Sequence, residues 1–130
     1  MKKSIFIAGG NSGIGLKLIS RLVKEGWDVT AASRSGSEIE KLEMVNYLES
    51  DPADPSFNLP DDLDSFDGFV YLPGTINLKP FNRLKISDFE EDLRINFLGA
   101  VNLIHQLVPI LKKGNDPSIV LVSTVAVQTG

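Results

Sequence analysis

The junction at Gly9 restricts the fold of this chain more than any other feature. Ser4–Ala8 is a short apolar, β-prone run, and it stops at Gly9-Gly10-Asn11-Ser12-Gly13-Ile14-Gly15. From Gly13 onward the apolar residues change period. Ile14, Leu18, Ile19, Leu22 and Val23 fall on one helical face, with Lys17, Arg21, Lys24 and Glu25 on the other. Gly26 is placed to stop that helix, and residues 29–32 form a second buried run. The opening therefore reads strand, helix, strand, with glycines where the first strand hands over to the helix.

The pattern continues. Residues 38–42 predict a short helix and residues 44–48 a third strand. Residues 51–67, with Pro52, Pro55 and Pro60, predict mostly loop, with one turn of helix at 61–63. Gly68 to Leu72 is a compact apolar strand closed by Pro73-Gly74. Residues 87–113 predict a long helix, with Ser87 as N-cap, Glu90 completing a capping box, and Pro109 bending its last turns. Its core stripe is read as Phe89, Leu93, Phe97, Ala100, Ile104, Leu107 and Leu111. A break at Gly114-Asn115-Asp116-Pro117 precedes a final strand over 119–122. Strands apolar on both faces that alternate with helices predict an α/β fold, a Rossmann-like doubly wound parallel sheet. Right-handed crossovers favour about five strands in the order 3-2-1-4-5.

At 130 residues the chain is read as a single domain, 1–130. An apolar fraction of 42% and a charged fraction of 23% are ordinary for a folded domain. A net charge of −4 with no Lys/Arg stripe argues against a nucleic-acid partner. No stretch is long and apolar enough for a membrane span, and the apolar run behind Met1-Lys2-Lys3 is too short for a signal peptide. The absence of cysteine excludes disulfides and thiolate chemistry and fits a cytoplasmic location. Asp61, Asp62, Asp64 and Asp67 lack the glycine and glutamate of a calcium loop, so a solvated acidic loop is expected there and no metal site. His105, the only histidine, and Trp27 are read as structural or surface residues.

The glycine cluster has a chemical reading as well. Free N–H groups at a helix start, together with the helix dipole, attract an anion such as a pyrophosphate. Gly9 permits a tight turn, Gly13 close backbone approach and Gly15 close packing of helix on strand, while Asn11 and Ser12 add side-chain donors. A glycine-rich turn without a ligand is the alternative. At the end of the second strand, a carboxylate would suit a ribose 2′-hydroxyl and a cation a 2′-phosphate. The chain has Ala32-Ser33-Arg34, so NADP(H) is preferred over NAD(H).

The spacing Gly-x-x-x-Gly-x-Gly resembles that of the short-chain dehydrogenase/reductase family, in its N-terminal portion, and the likeness runs through nearly the whole chain in order. It implies cofactor contacts from Gly9, Asn11, Ser12, Gly13, Ile14, Gly15, Ser33, Arg34, Asp51, Pro52, Leu72 and Gly74. Asp51-Pro52 resembles the family's adenine-binding aspartate, though Asp-Pro also starts turns unaided. Ala8 replaces the usual threonine before the first glycine, and Tyr71-Leu72-Pro73-Gly74 replaces the usual Asn-Asn-Ala-Gly, keeping only the glycine. Asn96 matches the helix asparagine that positions a water in the proton relay; a purely structural, buried asparagine is the alternative. The strand-end serine that polarises the substrate carbonyl falls on Thr124, with Ser123 as the alternative.

The resemblance implies hydride transfer between the nicotinamide and a small-molecule carbonyl or alcohol, with a tyrosine as acid/base and a lysine four residues later. Neither Tyr47 nor Tyr71 is followed by such a lysine, and the chain stops at Gly130 after a strand with no closing helix. Two readings follow. The first is a shortened piece of an NADP-dependent reductase, inactive by itself. The second is a complete small protein that binds a dinucleotide, or only a protein partner, without turnover. A homo-oligomer is expected, held by the uncharged strand 119–122 left at the sheet edge, by the long helix with Ile95, Leu98 and Val101 off its core stripe, or by both.

Overall fold

The computed structural model describes residues 2–11, 13–36 and 38–129. Five parallel strands, β1 (Ser4–Ala8), β2 (Asp28–Ser33), β3 (Val45–Glu49), β4 (Gly68–Tyr71) and β5 (Ser118–Leu121), form one sheet in the order β3-β2-β1-β4-β5. That is the order expected from crossover handedness. Alternation along each strand sends successive side chains to opposite faces. Ile5 and Ile7 join Val29, Ala31 and Val70 beneath helix α1 (Gly13–Lys24), whose Ile19 and Leu22 cover them. Phe6 and Ala8 join Ala32, Phe69 and Tyr71 on the other face, beneath Ala100, Leu103, Leu107 and Leu111. Trp27 packs at the edge of the α1 layer under the Lys3 ammonium, and His105 is exposed.

One end of the sheet is tied together by a single carboxylate. Asp67 Oδ2 accepts the Ser4 N–H at 2.9 Å and Oδ1 accepts the Asn115 N–H at 2.7 Å, joining the approaches to β1, β4 and β5. Those bonds hold its carboxyl below the usual carboxylate range. Asp67 is therefore a structural staple, whereas the sequence placed it in a solvated acidic loop with Asp61, Asp62 and Asp64, which are exposed.

Several local expectations change. Residues 38–42 form successive turns, not a helix; Ile39, fully buried, anchors them to the α1 layer, and Met44 at φ 70° redirects the chain into β3. Residues 61–62 make only a turn. The long helix is broken into α2 (Ile86–Leu93), a π-helical turn over Arg94–Leu98, and α3 (Gly99–Leu111). It starts one residue before Ser87 because Lys85 is extended and the Asp88 carboxylate accepts the Lys85 N–H at 2.9 Å, so Asp88, not Ser87 with Glu90, makes the cap. The Asp88 carboxyl is held below its ordinary range by that bond and by Lys79. A one-turn helix, α4 (Ala126–Thr129), follows β5 but buries no residue, and β5 stays exposed.

The π turn also changes which helix residues are buried. Gly99 donates its N–H to the Arg94 carbonyl, five residues back, instead of to Ile95, four back. The Ile95 carbonyl, which the Gly99 N–H bypasses, accepts the hydroxyl of Tyr71 at the end of β4, so a strand side chain bonds the backbone of the π turn. Core packing begins at Gly99: α2 contributes no buried residue, and Phe89, Leu93 and Phe97 of the expected stripe are 40–58% exposed. Leu103 takes the fully buried position that periodicity assigned to Ile104, which is half-buried beside the same core. No helix among the described residues is long and apolar enough to cross a membrane.

Replacing Tyr71 with Phe keeps the ring in the core but removes the hydroxyl's bond to the Ile95 carbonyl. The expected cost is about 1–3 kcal/mol of unfolding free energy in denaturant titration at neutral pH. Unchanged stability would show that the Tyr71 bond contributes nothing to holding the π turn on β4.

Candidate functional site

A crevice of about 560 Å³ opens along the C-terminal edge of the sheet, where the order of connection reverses between β1 and β4. Each strand delivers wall residues just past its end: Gly9 and Asn11 after β1, Arg34 and Ser35 after β2, Asp51 to Ala53 after β3, Leu72 to Thr75 after β4, and Val122 after β5. Ile14 and Gly15 at the start of α1 and Ser33 at the tip of β2 complete one side. Glu91 and Ile95, four apart and so on one helix face, close the other.

The glycine loop is shaped by contact. Gly9 at φ 85° turns the chain, and its N–H returns to the Ala32 carbonyl at 2.8 Å. A Cβ on Gly15 would overlap the Gly9 carbonyl oxygen and lie 2.8 Å from Gly10 Cα, so α1 can sit this close to β1 only through glycine. The first turn of α1 carries no acidic side chain, leaving its positive end for an external anion. Asn11 Oδ1 accepts the Glu38 N–H at 3.2 Å, tying the loop to the segment after β2. Ser12, expected to donate here, lies outside the described residues.

At the far end, Arg34 is exposed and makes no ion pair among the described residues. Ser33 is buried, and its hydroxyl donates to the Ser35 carbonyl at 2.7 Å. Asp51 behaves as the turn former that its Asp-Pro context suggested: Oδ1 accepts the Ala53 N–H at 3.0 Å. Its other oxygen lies 3.6 Å from Arg94 Nη1, an ion pair the sequence reading missed because nothing in a linear pattern relates the third strand's exit to a helix turn. Pro52 is buried in the wall behind it.

Beyond β4, Leu72 and Gly74 line the crevice together with Pro73 and Thr75, which the sequence reading omitted. Asn96 lies in the π turn and is exposed, not buried as its structural alternative supposed. Both ends of its amide nevertheless hold Thr75, Oδ1 accepting the Thr75 N–H at 2.9 Å and Nδ2 donating one hydrogen to the Thr75 carbonyl at 2.7 Å. Ser123 and Thr124 are exposed and follow the wall residue Val122; Thr124 Oγ1 accepts the Ala126 N–H at 3.3 Å at the start of α4. Burial pushes the Tyr71 hydroxyl up to about 12, aided by the Asp51 carboxylate and opposed by Arg94. It therefore stays protonated near neutral pH as the donor to Ile95. Ser35, Ala53, Glu91 and Ile95 were also missed. The signal available for Ser35 and Ala53 was their place just past a strand end.

The family model described as short chain dehydrogenase matches residues 3–130. The 3-dehydrosphinganine reductase TSC10A of Arabidopsis thaliana is 30% identical over 134 aligned positions, covering 95% of this chain and 41% of that protein. Among solved structures, the ligand-free aldohexose dehydrogenase of Thermoplasma acidophilum superposes with a TM-score of 0.80 at 21% identity, over 95% of this chain and 50% of that one. ElxO with NADP bound superposes with a TM-score of 0.79 at 21% identity, over 100% of this chain and 58% of that one. The chain spans about half the length of the curated relatives it matches. A parallel sheet in the order 3-2-1-4-5, a glycine turn pressed against its first helix and a match along residues 3–130 converge on one assignment: this chain belongs to the short-chain dehydrogenase family.

Proposed function

We propose that this chain is the NADP(H)-binding half of an oxidoreductase that interconverts a carbonyl and an alcohol on a small molecule. The observation that carries the reading is the pairing, in one crevice, of an acid-free helix start with Arg34, a cation without an ion pair among the described residues and 20 positions after Ile14 in sequence. Gly9, Gly13, Ile14 and Gly15, with Asn11 and Ser12, hold the pyrophosphate. Asp51, Pro52 and Ile95 bound the adenine, and Leu72 and Gly74 flank the inner ribose. Arg34 takes the 2′-phosphate with a guanidinium fork that no carboxylate competes for among the described residues. The bound dinucleotide supplies the hydride chemistry. Thr124, with Ser123 as the alternative, offers the hydroxyl that polarises the substrate carbonyl, and Asn96 holds the Thr75 backbone at the crevice wall. Tyr71 cannot serve as the acid, because its proton is committed to Ile95. These 130 residues contain no tyrosine with a lysine four positions later, so by themselves they bind cofactor without turnover.

Calorimetry is expected to find NADPH bound more tightly than NADH, with Arg34→Ala removing most of the difference, roughly 1–3 kcal/mol for a lost charge-assisted contact. Equal affinities in the unaltered chain contradict the assignment.

The same reading includes self-association. Edge strand β5 and the residue after it present Ile119, Val120, Leu121 and Val122 at 40–57% exposure, and Phe89, Leu93, Phe97, Leu98 and Val101 are exposed along the broken helix. A second copy of the chain is the proposed occupant of both surfaces. Light scattering at micromolar concentration is expected to give a dimer or larger species. A monodisperse monomer near 14.2 kDa would overturn it.

A further inference from the structure

We infer that Tyr47 is a positioning residue for the 2′-phosphate seat: from β3 it holds the turn after β2 in the shape that presents Arg34 and Ser35 to the crevice. The inference rests on the NADP(H) reading above and extends it to a residue outside the crevice wall. Tyr47 pairs with Ala31 in the β2–β3 register, and its side chain runs along the sheet toward the end of β2. There its hydroxyl donates to the Ser33 carbonyl at 3.0 Å, an acceptor it shares with the Ser50 N–H, also at 3.0 Å. Ser33 in turn donates its hydroxyl to the Ser35 carbonyl at 2.7 Å, and the two hydroxyl oxygens lie 3.3 Å apart.

These bonds restrain the peptide planes on either side of the cation. The Ser33 carbonyl belongs to the peptide that leads into Arg34, and the Ser35 carbonyl to the peptide that leads out toward Gly36. Gly36 rests directly on the Tyr47 ring, where a Cβ would overlap Cε1 and Cζ, so the ring also sets how closely the turn can fold back on β3. One consequence concerns Ser33. It has one hydroxyl hydrogen, that hydrogen is spent on Ser35, and the residue is 6% exposed. Ser33 therefore acts with Tyr47 in shaping the turn, and Arg34 and the Ser35 hydroxyl face the phosphate. Preorganisation of this kind raises affinity by reducing the ordering cost of binding.

The test uses adenosine 2′,5′-bisphosphate and adenosine 5′-monophosphate as probes and reads the ratio of their dissociation constants, which isolates the 2′-phosphate. Tyr47→Phe keeps the ring on Gly36 and removes only the donor. It is expected to lower the ratio about threefold to tenfold, the scale of one hydrogen bond, with monophosphate affinity unchanged. Ser33→Ala should lower the ratio similarly, and the double variant should lose no more than either alone, since both hydroxyls hold one turn. A ratio near unity in the unaltered chain overturns the NADP(H) reading itself. A large ratio that Tyr47→Phe leaves intact overturns only the bracing role, as does a variant that weakens both probes equally. Additive losses would make Ser33 a direct phosphate donor and overturn its part. If Tyr47→Phe fails to fold, Ser33→Ala carries the same comparison.

Discussion

The contact on which the site depends is the one between Gly15 and the Gly9 carbonyl. A helix that follows a strand in a parallel sheet must cross back over the sheet, and the closer its first turn lies to the strand end, the more directly its free N–H groups face the space beyond. Here the approach is so close that no side chain fits between them. That contact aims α1 along the crevice, and the Gly9 N–H bond to Ala32 carries the alignment to β2, whose exit holds Arg34. The Gly9 turn also meets Pro73 after β4, where a Cβ on Gly9 would stand 3.1 Å from the proline ring. Three strand ends are thus indexed to one glycine turn.

The opposite wall is organised by a different device. Where the family pattern implied asparagines at the end of β4, this chain carries a buried tyrosine whose hydroxyl reaches a carbonyl in the π turn. The same turn projects Arg94 onto Asp51 and Asn96 onto Thr75, so a single irregularity in one helix supports the walls beyond β3 and β4. An irregular helix is costly unless its polar groups find partners. Tyr71 supplies one, and the wall side chains gain their placement as a consequence.

Much of this was legible in the residues. Apolar runs broken by glycine or proline marked β1, β2, β4 and β5, β3 showed only a mixed β-prone run, and the change of period after Gly13 marked α1, because burial on a strand or a helix leaves a repeat that composition alone does not. The glycine loop, Arg34, Asp51, Leu72 and Gly74 follow from their places at strand ends, and among the described residues all of these but Gly10 and Gly13 line the crevice. The π turn was not legible. A helical stripe drawn at constant period through residues 94–98 carries Phe89, Leu93 and Phe97 into a core they do not reach. Long-range polar partners were equally hidden: Asp67 with Asn115, Tyr71 with Ile95 and Tyr47 with Ser33 join residues 48, 24 and 14 positions apart, and no local repeat encodes such separations.

The central claim is that the crevice at the strand ends is a dinucleotide seat built around the glycine turn. Titrating isotope-labelled protein with oxidised NADP while following backbone amide resonances tests it most directly. Saturable shifts are expected at Gly9, Gly13, Gly15, Arg34 and Ser35, with Ser4, Asp67 and Asn115 at the other end of the sheet unmoved. Resonances of the glycine loop that stay fixed at saturating cofactor, or shifts confined to residues 119–122, would contradict the account.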